Sequence, residues 1–409
     1  MKRVVITGVG ALSPLGHDWP TVLGRLRDEK NAIRYMSEWD IYEGLNTRLG
    51  ATVAPFDVPM QYNRKVTRSM GRIAIMATIA SEMAIADADL KDHPIVTSGN
   101  MGIAYGSSAG SPEAIGDFGN MLLKRSTDGI NANTYIRMMS HTAAVNIGVY
   151  LGITGRIIPT TSACVAGSQG VGYAYETIQS GKQLAMLAGG AEELGAPYAA
   201  VFDTLFATST QNSSPDLTPR PFDVDRDGLV LGEGACTLVL EELEHAQARG
   251  ARIYAEIVGF GTNSDGHHVT QPDATSMAQT MRLALKSANL SSEVIGYVNA
   301  HGTGTDQGDV AESQATAEVL GTRVSISSLK SYMGHTLGAC GAIETWISAE
   351  MMREGWFAPT INLRNIDPRC ANLDYILAGG REIQTEYVMN NNFAFGGINT
   401  SLILRRWKD

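Results

Sequence analysis

The chain has 409 residues, a formal net charge of −10 at pH 7, and 44% hydrophobic against 18% charged residues. This length allows two or three core-forming units, and the composition excludes a disordered chain. The acidic balance argues against a nucleic-acid partner. The four cysteines, at 164, 236, 340 and 370, show neither CxxC nor Cys/His ligand spacing. We therefore predict no metal site, no disulfide framework and a reducing compartment.

The apolar runs of the chain are short. The run at Val4–Ile6 is too short for a signal peptide, and no stretch reaches the apolar length of a membrane span. We expect a soluble, cytoplasmic protein without a membrane span. Local basic patches could still bind an acidic protein partner.

The first predicted strand is Arg3–Thr7, and it ends at Gly8-Val9-Gly10. These glycines suggest a dinucleotide-binding loop, but the third glycine is missing and Ser13-Pro14 stands where a helix should start. We therefore predict no Rossmann site. A short helix is predicted next, over residues 18–30.

A long helical pattern covers Asn63–Leu90, with apolar residues at three- and four-residue steps. Its start carries four basic residues, Arg64, Lys65, Arg68 and Arg72. The cluster has two interpretations: a solvated helix face, or a docking patch for an acidic partner.

Strands and helices then alternate. Strands are predicted at Met101–Tyr105, Leu184–Ala188 and Cys236–Leu240, a turn at Gly189–Glu193, and helices at 112–124, 139–151 and 241–249.

A second half of the chain repeats this pattern. Ile253–Val258 with Gly259-Phe260-Gly261 resembles the first strand and its glycines, and a helix at 274–289 and a strand at Gly296–Asn299 follow. We predict a duplicated α/β unit with mixed sheets and divide it into halves 1–250 and 251–409.

A reactive cysteine is predicted at Cys164. It follows the apolar pair Ile157-Ile158 and precedes a helical pattern that stops at Gly181. A helix N-terminus favours a thiolate over a thiol, and the small neighbouring residues allow a ligand close to the sulfur. The alternative is an inert buried cysteine.

Three later stretches place donor residues among glycines after apolar runs, namely Asn299–Thr305, Lys330–Thr336 and Asn392–Gly397. Two of them carry a histidine, His301 and His335. Two neutral imidazole N–H groups can stabilise a developing enolate oxygen. Together with a cysteine they suit chemistry on a thioester, and no base is needed if the carbanion arises by loss of carbon dioxide.

These motifs, in this order, resemble the elongating β-ketoacyl-acyl-carrier-protein synthases of the thiolase-like superfamily. The similarity covers essentially the whole chain. Further matching stretches are Gly189-Gly190-Ala191-Glu192, Arg220-Pro221-Phe222-Asp223, Arg226-Asp227-Gly228 and Gly232-Glu233-Gly234.

The resemblance implies a five-layer α-β-α-β-α fold and a decarboxylative Claisen condensation between an acyl chain and malonyl carrier protein. Cys164 would hold the acyl chain, His301 and His335 would stabilise the enolate, and Lys330 would order the site electrostatically.

It also implies roles for residues around these four. Glu344 would be the buried glutamate near the lysine, and Thr303 and Thr305 would bind the phosphopantetheine arm. Phe395 would gate the cysteine and, with Cys164, supply oxyanion-hole N–H groups. No cofactor is implied, because the carrier protein supplies the phosphopantetheine.

The chain departs from the family pattern at several positions, which leaves the acyl chain open. The departures are Val165-Ala166, Tyr332-Met333, Cys340, Ala394 and Ile398. Ala109, on the loop that would bound the acyl pocket at a dimer interface, either admits long chains or merely packs. Residues 34–62 look more like ketosynthases of specialised polyene or polyketide pathways.

Other members of the superfamily fit less well. A biosynthetic thiolase needs a second cysteine in the C-terminal glycine loop, and an initiating synthase uses Cys, His and Asn. A non-catalytic chain-length factor lacks the nucleophile that is present here, although such a subunit could be the partner. We therefore expect a homodimer, or a heterodimer with a chain-length-factor-like subunit.

Overall fold

A computed structural model describes residues 1–408, which form sixteen strands and thirteen α-helices within that range. The strands are β1 (Val4–Leu12), β2 (Arg34–Tyr35), β3 (Leu49–Ala51), β4 (Met101–Gly106), β5 (Ile157–Thr160), β6 (Ala185–Glu192), β7 (Leu231–Gly232), β8 (Gly234–Glu242), β9 (Ala255–Ser264), β10 (Ile295–Asn299), β11 (Ser325–Ser327), β12 (Trp356–Phe357), β13 (Asp374–Tyr375), β14 (Arg381–Glu382), β15 (Tyr387–Phe393) and β16 (Ile398–Arg406). The helices are α1 (Trp19–Arg27), α2 (Arg64–Thr67), α3 (Arg72–Asp87), α4 (Pro112–Lys124), α5 (Ala132–Met138), α6 (Thr142–Leu151), α7 (Ala166–Gln179), α8 (Ala196–Asp203), α9 (Leu243–Ala248), α10 (Ala274–Ala288), α11 (Asp306–Leu320), α12 (Lys330–Met333) and α13 (Cys340–Glu354).

Eleven strands form one mixed sheet with internal symmetry. Its order is β13-β11-β10-β15-β16-β9-β1-β8-β6-β4-β5. The run from β9 to β11 repeats the run from β1 to β5, because β9, β16, β15, β10 and β11 occupy the places of β1, β8, β6, β4 and β5. The halves join where β1 and β9 pair antiparallel over three residue pairs. This order confirms the predicted duplication with mixed sheets.

The helices form three layers around the two halves of the sheet. α3 and α6 cover the outer face of the first half, and α10 and α11 cover the second. α7 and α13 lie between the halves and contact strands of both. The molecule therefore has the predicted five layers, α-β-α-β-α.

Glycines at the ends of the central helices let α7 and α13 cross closely. A Cβ on Gly167 would lie 2.7 Å from the carbonyl oxygen of Gly338, and one on Gly341 would lie 2.6 Å from the Cβ of Ser168. This crossing brings the start of each helix to the centre of the molecule.

The glycines after the first strand of each half lie within strands, which corrects the prediction that they end them. β1 continues to Leu12 and β9 to Ser264. A Cβ on Gly10 would lie 2.0 Å from the carbonyl oxygen of Ala80 in α3, and one on Gly261 would lie 2.3 Å from that of Thr280 in α10. These glycines are there so that a helix can pack directly on the strand.

Two further expectations are wrong in detail. The predicted turn at Gly189–Glu193 is strand β6 as far as Glu192, where a Cβ on Gly189 would lie 1.9 Å from the carbonyl oxygen of Cys236. The predicted helix at Asn63–Leu90 is broken into α2 and α3, because Gly71 packs against Ser111 and starts the second helix. Among residues 1–408, no helix is long and apolar enough to cross a membrane.

Candidate active site

Cys164 lies where β5 turns into α7. A short 3-10 turn, Ala163–Val165, joins them, and Ala163 has a left-handed backbone with φ of +49°. Cys164 is 4% exposed and packs in an apolar cluster with side chains of the neighbouring segments, including Met36, Trp39 and Phe202. The strand-to-helix position predicted for the cysteine is confirmed.

The thiol is the resting form of Cys164, contrary to the expected thiolate. Burial raises the pKa of Cys164 to about 11. The Lys330 ammonium and the backbone N–H groups of Phe395 and Cys164, which point to the sulfur, act in the opposite direction without cancelling this effect. Desolvation outweighs the helix N-terminus here.

The two histidines meet edge to face beside this thiol. The ring centroids of His301 and His335 are 5.1 Å apart with an interplanar angle of 89°. Burial, and then the positive charge of Lys330, hold the pKa of both rings well below the usual value, so both imidazoles are neutral. Among the described residues, Nδ1 of His301 and both ring nitrogens of His335 have no hydrogen-bond partner.

Backbone hydrogen bonds fix the His335 loop. Its N–H donates to the carbonyl oxygen of Val230 at 2.7 Å, and its own carbonyl accepts from Gly232 N–H at 2.9 Å. The ring is therefore positioned through its main chain, and its nitrogens remain available to a ligand.

Lys330 and Glu344 form a fully buried ion pair behind the histidines. Lys330 Nζ lies 2.5 Å from Glu344 Oε1, and both side chains are inaccessible to solvent. Asn392 Nδ2 donates to Glu344 Oε2 at 2.7 Å. Burial acts to lower the pKa of Lys330, but the Glu344 carboxylate outweighs it and the net shift is upward. The lysine is a fixed positive charge.

A carboxyl group that the sequence did not single out holds the His301 loop. Glu312 on α11 accepts from the N–H groups of His301 and Gly302, both at 2.7 Å. Burial raises its pKa to about 8, against the effect of these two donors. In the sequence, Glu312 is an acidic residue among small residues, eleven positions after His301. Such a pattern is too common to identify a functional residue.

A pocket of about 530 Å³ opens from this group of residues to solvent. Cys164, His301 and His335 line its inner part, and Thr303 and Thr305 line its outer part, with their hydroxyl oxygens 3.0 Å apart. Its lining combines apolar with polar side chains, as a site for an arm with amide groups requires.

Two loops border the pocket and contact each other. Phe395 lines it and packs on Phe202, with ring centroids 5.2 Å apart. Gly396 N–H donates to the carbonyl oxygen of Val269 at 2.7 Å, and Asp265 N–H donates to that of Gly397 at 2.8 Å. These two hydrogen bonds hold the Phe395 loop against the segment that contains Asp265 and Val269.

The structure brings together Cys164, His301, His335, Thr303, Thr305 and Phe395 as residues that line one pocket, with Lys330 and Glu344 buried beside it. Ala109 does not line that pocket among the described residues. It lies on a loop whose Ser108 N–H donates to Glu192 at 2.8 Å. Its effect on chain length stays a prediction, since it depends on a second subunit.

The basic cluster at 64–72 is divided. Arg64, Lys65, Arg68 and Arg72 are all exposed, but the Arg72 guanidinium is also bound to the buried carboxylate of Glu233 at 2.6 Å. Arg72 therefore has a structural partner, and the other three remain available.

The comparisons with known proteins agree with this geometry. Residues 1–246 match the family profile described as "Beta-ketoacyl synthase, N-terminal domain", and residues 254–364 match "Beta-ketoacyl synthase, C-terminal domain". The chain is 36% identical over 413 aligned residues to 3-oxoacyl-[acyl-carrier-protein] synthase 2 of Synechocystis sp., with 100% of this chain and 99% of the relative covered.

Two solved structures are similar over all of both chains. A beta-ketoacyl synthase from Burkholderia phymatum STM815 superposes with a TM-score of 0.99 at 60% identity. The ishigamide ketosynthase/chain length factor superposes with a TM-score of 0.90 at 32% identity. The two profiles together match most of the chain, and the relatives are similar over its whole length, so the chain belongs to the β-ketoacyl synthases.

Proposed function

We propose that this protein is a β-ketoacyl-acyl-carrier-protein synthase that condenses malonyl carrier protein with an acyl chain held on Cys164. The observation that carries the proposal is one pocket with a thiol and two neutral imidazoles at its inner end and a solvent opening at the other. The relatives named as 3-oxoacyl-[acyl-carrier-protein] synthases support it.

The first half-reaction is acyl transfer. The sulfur of Cys164 attacks the thioester carbonyl of the acyl carrier protein, the carbon–sulfur bond to pantetheine breaks, and the thiol proton leaves with the departing pantetheine thiol. The N–H groups of Cys164 and Phe395, which point to this sulfur, are suited to hold the oxyanion of the tetrahedral intermediate.

The second half-reaction makes the new carbon–carbon bond. Malonyl carrier protein loses carbon dioxide, and the electron pair of that bond becomes an enolate whose oxygen accepts from the imidazole N–H groups of His301 and His335. The enolate carbon attacks the acyl carbonyl on Cys164, and the cysteine leaves as a thiolate that takes up a proton. Lys330 positions this group as a fixed charge, because Glu344 holds its ammonium.

The outer pocket would bind the arm of the carrier protein. The Thr303 and Thr305 hydroxyls offer hydrogen bonds to its amides, and no dissociable cofactor takes part in the proposed reaction. The exposed Arg64, Lys65 and Arg68 are the proposed contact for the acidic carrier protein. We also propose a cytoplasmic location and a division into halves near residue 250.

A second candidate is the catalytic subunit of a heterodimer. Large apolar side chains are exposed on and after α4, at Ile115, Leu122, Leu123, Tyr135 and Val149, which supports a subunit interface. The similar ishigamide protein is described as a ketosynthase with a chain length factor. A specialised polyene or polyketide substrate would accompany this arrangement.

Intact-mass measurement tests the proposal. The protein is exposed to acyl carrier proteins with chains of different length and saturation, with Cys164→Ala as control. We expect an acyl adduct that the variant lacks and that malonyl carrier protein discharges with release of carbon dioxide. An adduct that persists in Cys164→Ala would contradict the assignment. Native mass spectrometry, with and without a coexpressed chain-length-factor-like subunit, separates homodimer from heterodimer.

A further inference from the structure

The turn after α8 places an aromatic ring at the mouth of the pocket. Phe206 is 90% exposed although it lines the outer pocket. Val201, in α8, and Leu205, in the turn beside Phe206, are 55% and 46% exposed. An apolar surface this open at the mouth of a pocket that leads to Cys164 indicates a surface that another molecule covers.

The backbone of Phe206 is also unfavourable for a phenylalanine. Its φ is +53°, in the left-handed region that glycine or asparagine normally occupies at the end of a helix. The turn has the matching hydrogen bonds, from Phe206 N–H to Asp203 O at 2.9 Å and from Ala207 N–H to Phe202 O at 3.0 Å. A glycine would suit the backbone and would remove the exposed ring.

The turn is held in place without any contribution from that ring. The Asp203 carboxylate accepts from the N–H groups of Asn46 and Thr47, at 2.8 and 3.1 Å, and from the Thr208 hydroxyl at 2.9 Å. Leu229 N–H donates to the carbonyl oxygen of Ala207 at 2.8 Å. The rigid turn presents Phe206 to solvent, which reduces the entropy that the ring would lose on binding.

We propose that Phe206, with Val201 and Leu205, is the apolar contact for the carrier protein beside the serine that bears its phosphopantetheine. The inference rests on the proposed function and extends it from the arm to the protein that carries it. A carrier that threads its arm to Cys164 must lie over this rim, and its apolar surface would cover the three side chains.

The position of α8 relative to the basic residues supports this occupant. Near its N-terminal end, Tyr198 donates to the carbonyl oxygen of Gly110 at 2.8 Å, and the adjoining Ser111 packs on Gly71. Gly71 directly follows the segment of Arg64, Lys65 and Arg68. α8 has eight residues and is therefore about 12 Å long. The basic residues and the apolar side chains are thus close enough for one small acidic protein to contact both within a typical interface of about 800 Å² per partner.

Direct titration tests the contact without requiring turnover. Holo acyl carrier protein is titrated into full-length protein that carries Cys164→Ala, with and without Phe206→Gly. We expect Phe206→Gly to weaken binding about tenfold and Phe206→Leu to have an intermediate effect. The melting temperature should stay the same or rise, because the glycine suits the turn. Asn289→Gly, at a left-handed position at the end of α10, is the matched backbone control and should bind normally.

The rate of acylation, measured in protein that retains Cys164, distinguishes a contact with the carrier protein from a contact with its arm. Phe206→Gly should slow transfer from hexanoyl carrier protein about tenfold more than it slows transfer from hexanoyl-pantetheine. Equal slowing with both donors would overturn the proposal in favour of a contact with the arm. Unchanged carrier affinity, a lower melting temperature, or dissociation of a dimer in sedimentation would each overturn it as well. Absence of acylation in the wild type would count against the proposed function alone, since the titration does not depend on it.

Discussion

The two halves of the molecule build the same turn at the start of their central helices, but only one turn carries a nucleophile. Ala163 and Leu337 have φ values of +49° and +46°, and each begins a 3-10 turn that leads into α7 or α13. Cys164 in the first half therefore corresponds to Gly338 in the second.

The surroundings explain the difference. A Cβ on Gly338 would lie 2.9 Å from Glu192 Oε2 and 2.9 Å from Ser107 Cα, and Gly338 N–H donates to the same Glu192 oxygen at 3.1 Å. The second turn is thus filled by a carboxyl group of the first half, while the first turn faces the pocket. The duplicated fold has two equivalent helix starts, at α7 and α13. Only the one that a ligand can reach carries a nucleophile.

The largest expected effect comes from making the first turn like the second. Cys164→Gly should reduce acyl-adduct formation at least about a thousandfold, because no other group attacks the thioester. Intact mass and turnover measure this loss. Cys340→Ala, which removes the thiol that donates to the Cys164 carbonyl oxygen at 3.3 Å, should keep the adduct. An adduct on Cys164→Gly would mean that a residue other than Cys164 attacks the thioester.

The second half contributes a buried charge instead of a nucleophile, and this charge can be tested by stability. Lys330→Met leaves Glu344 buried without its cation and should lower the free energy of unfolding by about 3–5 kcal/mol. Lys330→Met combined with Glu344→Gln should recover most of the loss. Denaturant unfolding measures both, and equal destabilisation of the single and double variants would mean that the ion pair is not the cause.

The pH dependence of stability should report the carboxyl that holds His301. The folded pKa of Glu312, about 8, lies above its ordinary 4.5. The folded state therefore favours the protonated form, and this contribution is complete below pH 4.5 and is lost as the pH rises through 8. Between pH 5 and 8 the loss should be on the order of 3 kcal/mol.

Glu312→Gln is the test of that contribution. The variant should show a shallower fall in the free energy of unfolding over this pH range than the wild type, whatever its absolute stability. Asp309 and Lys330, which also act on this carboxyl, are unchanged in the comparison. Parallel pH curves for the two proteins would rule out the assignment.

The smallest effect comes from making the second turn more like the first. Gly338→Ala should lower the free energy of unfolding by about 1–3 kcal/mol, because the added Cβ would meet backbone atoms as well as Glu192. Gly24→Ala is the matched control, since its Cβ would meet nothing within 4 Å in α1, and it should stabilise by about 0.5–1 kcal/mol. Thermal unfolding distinguishes them, and a neutral Gly338→Ala would show that the second turn has room for a side chain.

The sequence predicts the strand-to-helix context of Cys164 and the glycine-bounded loops of His301 and His335, because apolar runs and glycines are local signals. It misassigns Gly8, Gly10, Gly189 and Gly190 for a physical reason. A glycine that bends a chain and a glycine that lets another backbone approach look alike in sequence.

The resting thiol of Cys164 and the role of Glu312 could not be predicted for a different reason. Each depends on burial by segments far along the chain, and no local pattern encodes that burial. The break at Gly71 in the helix predicted over Asn63–Leu90 is of the same kind, since it depends on contact with Ser111.

The neutral imidazole pair has a consequence for ionic strength. At pH 7 the inner site holds a neutral thiol, two neutral rings, a protonated Glu312 and an ion pair whose charges cancel. Among these groups an entering malonyl carboxylate meets no unpaired cation, whereas the exposed Arg64, Lys65 and Arg68 lie in screening solvent. Added salt should weaken capture of the carrier protein and leave the rate of the bound condensation step nearly unchanged.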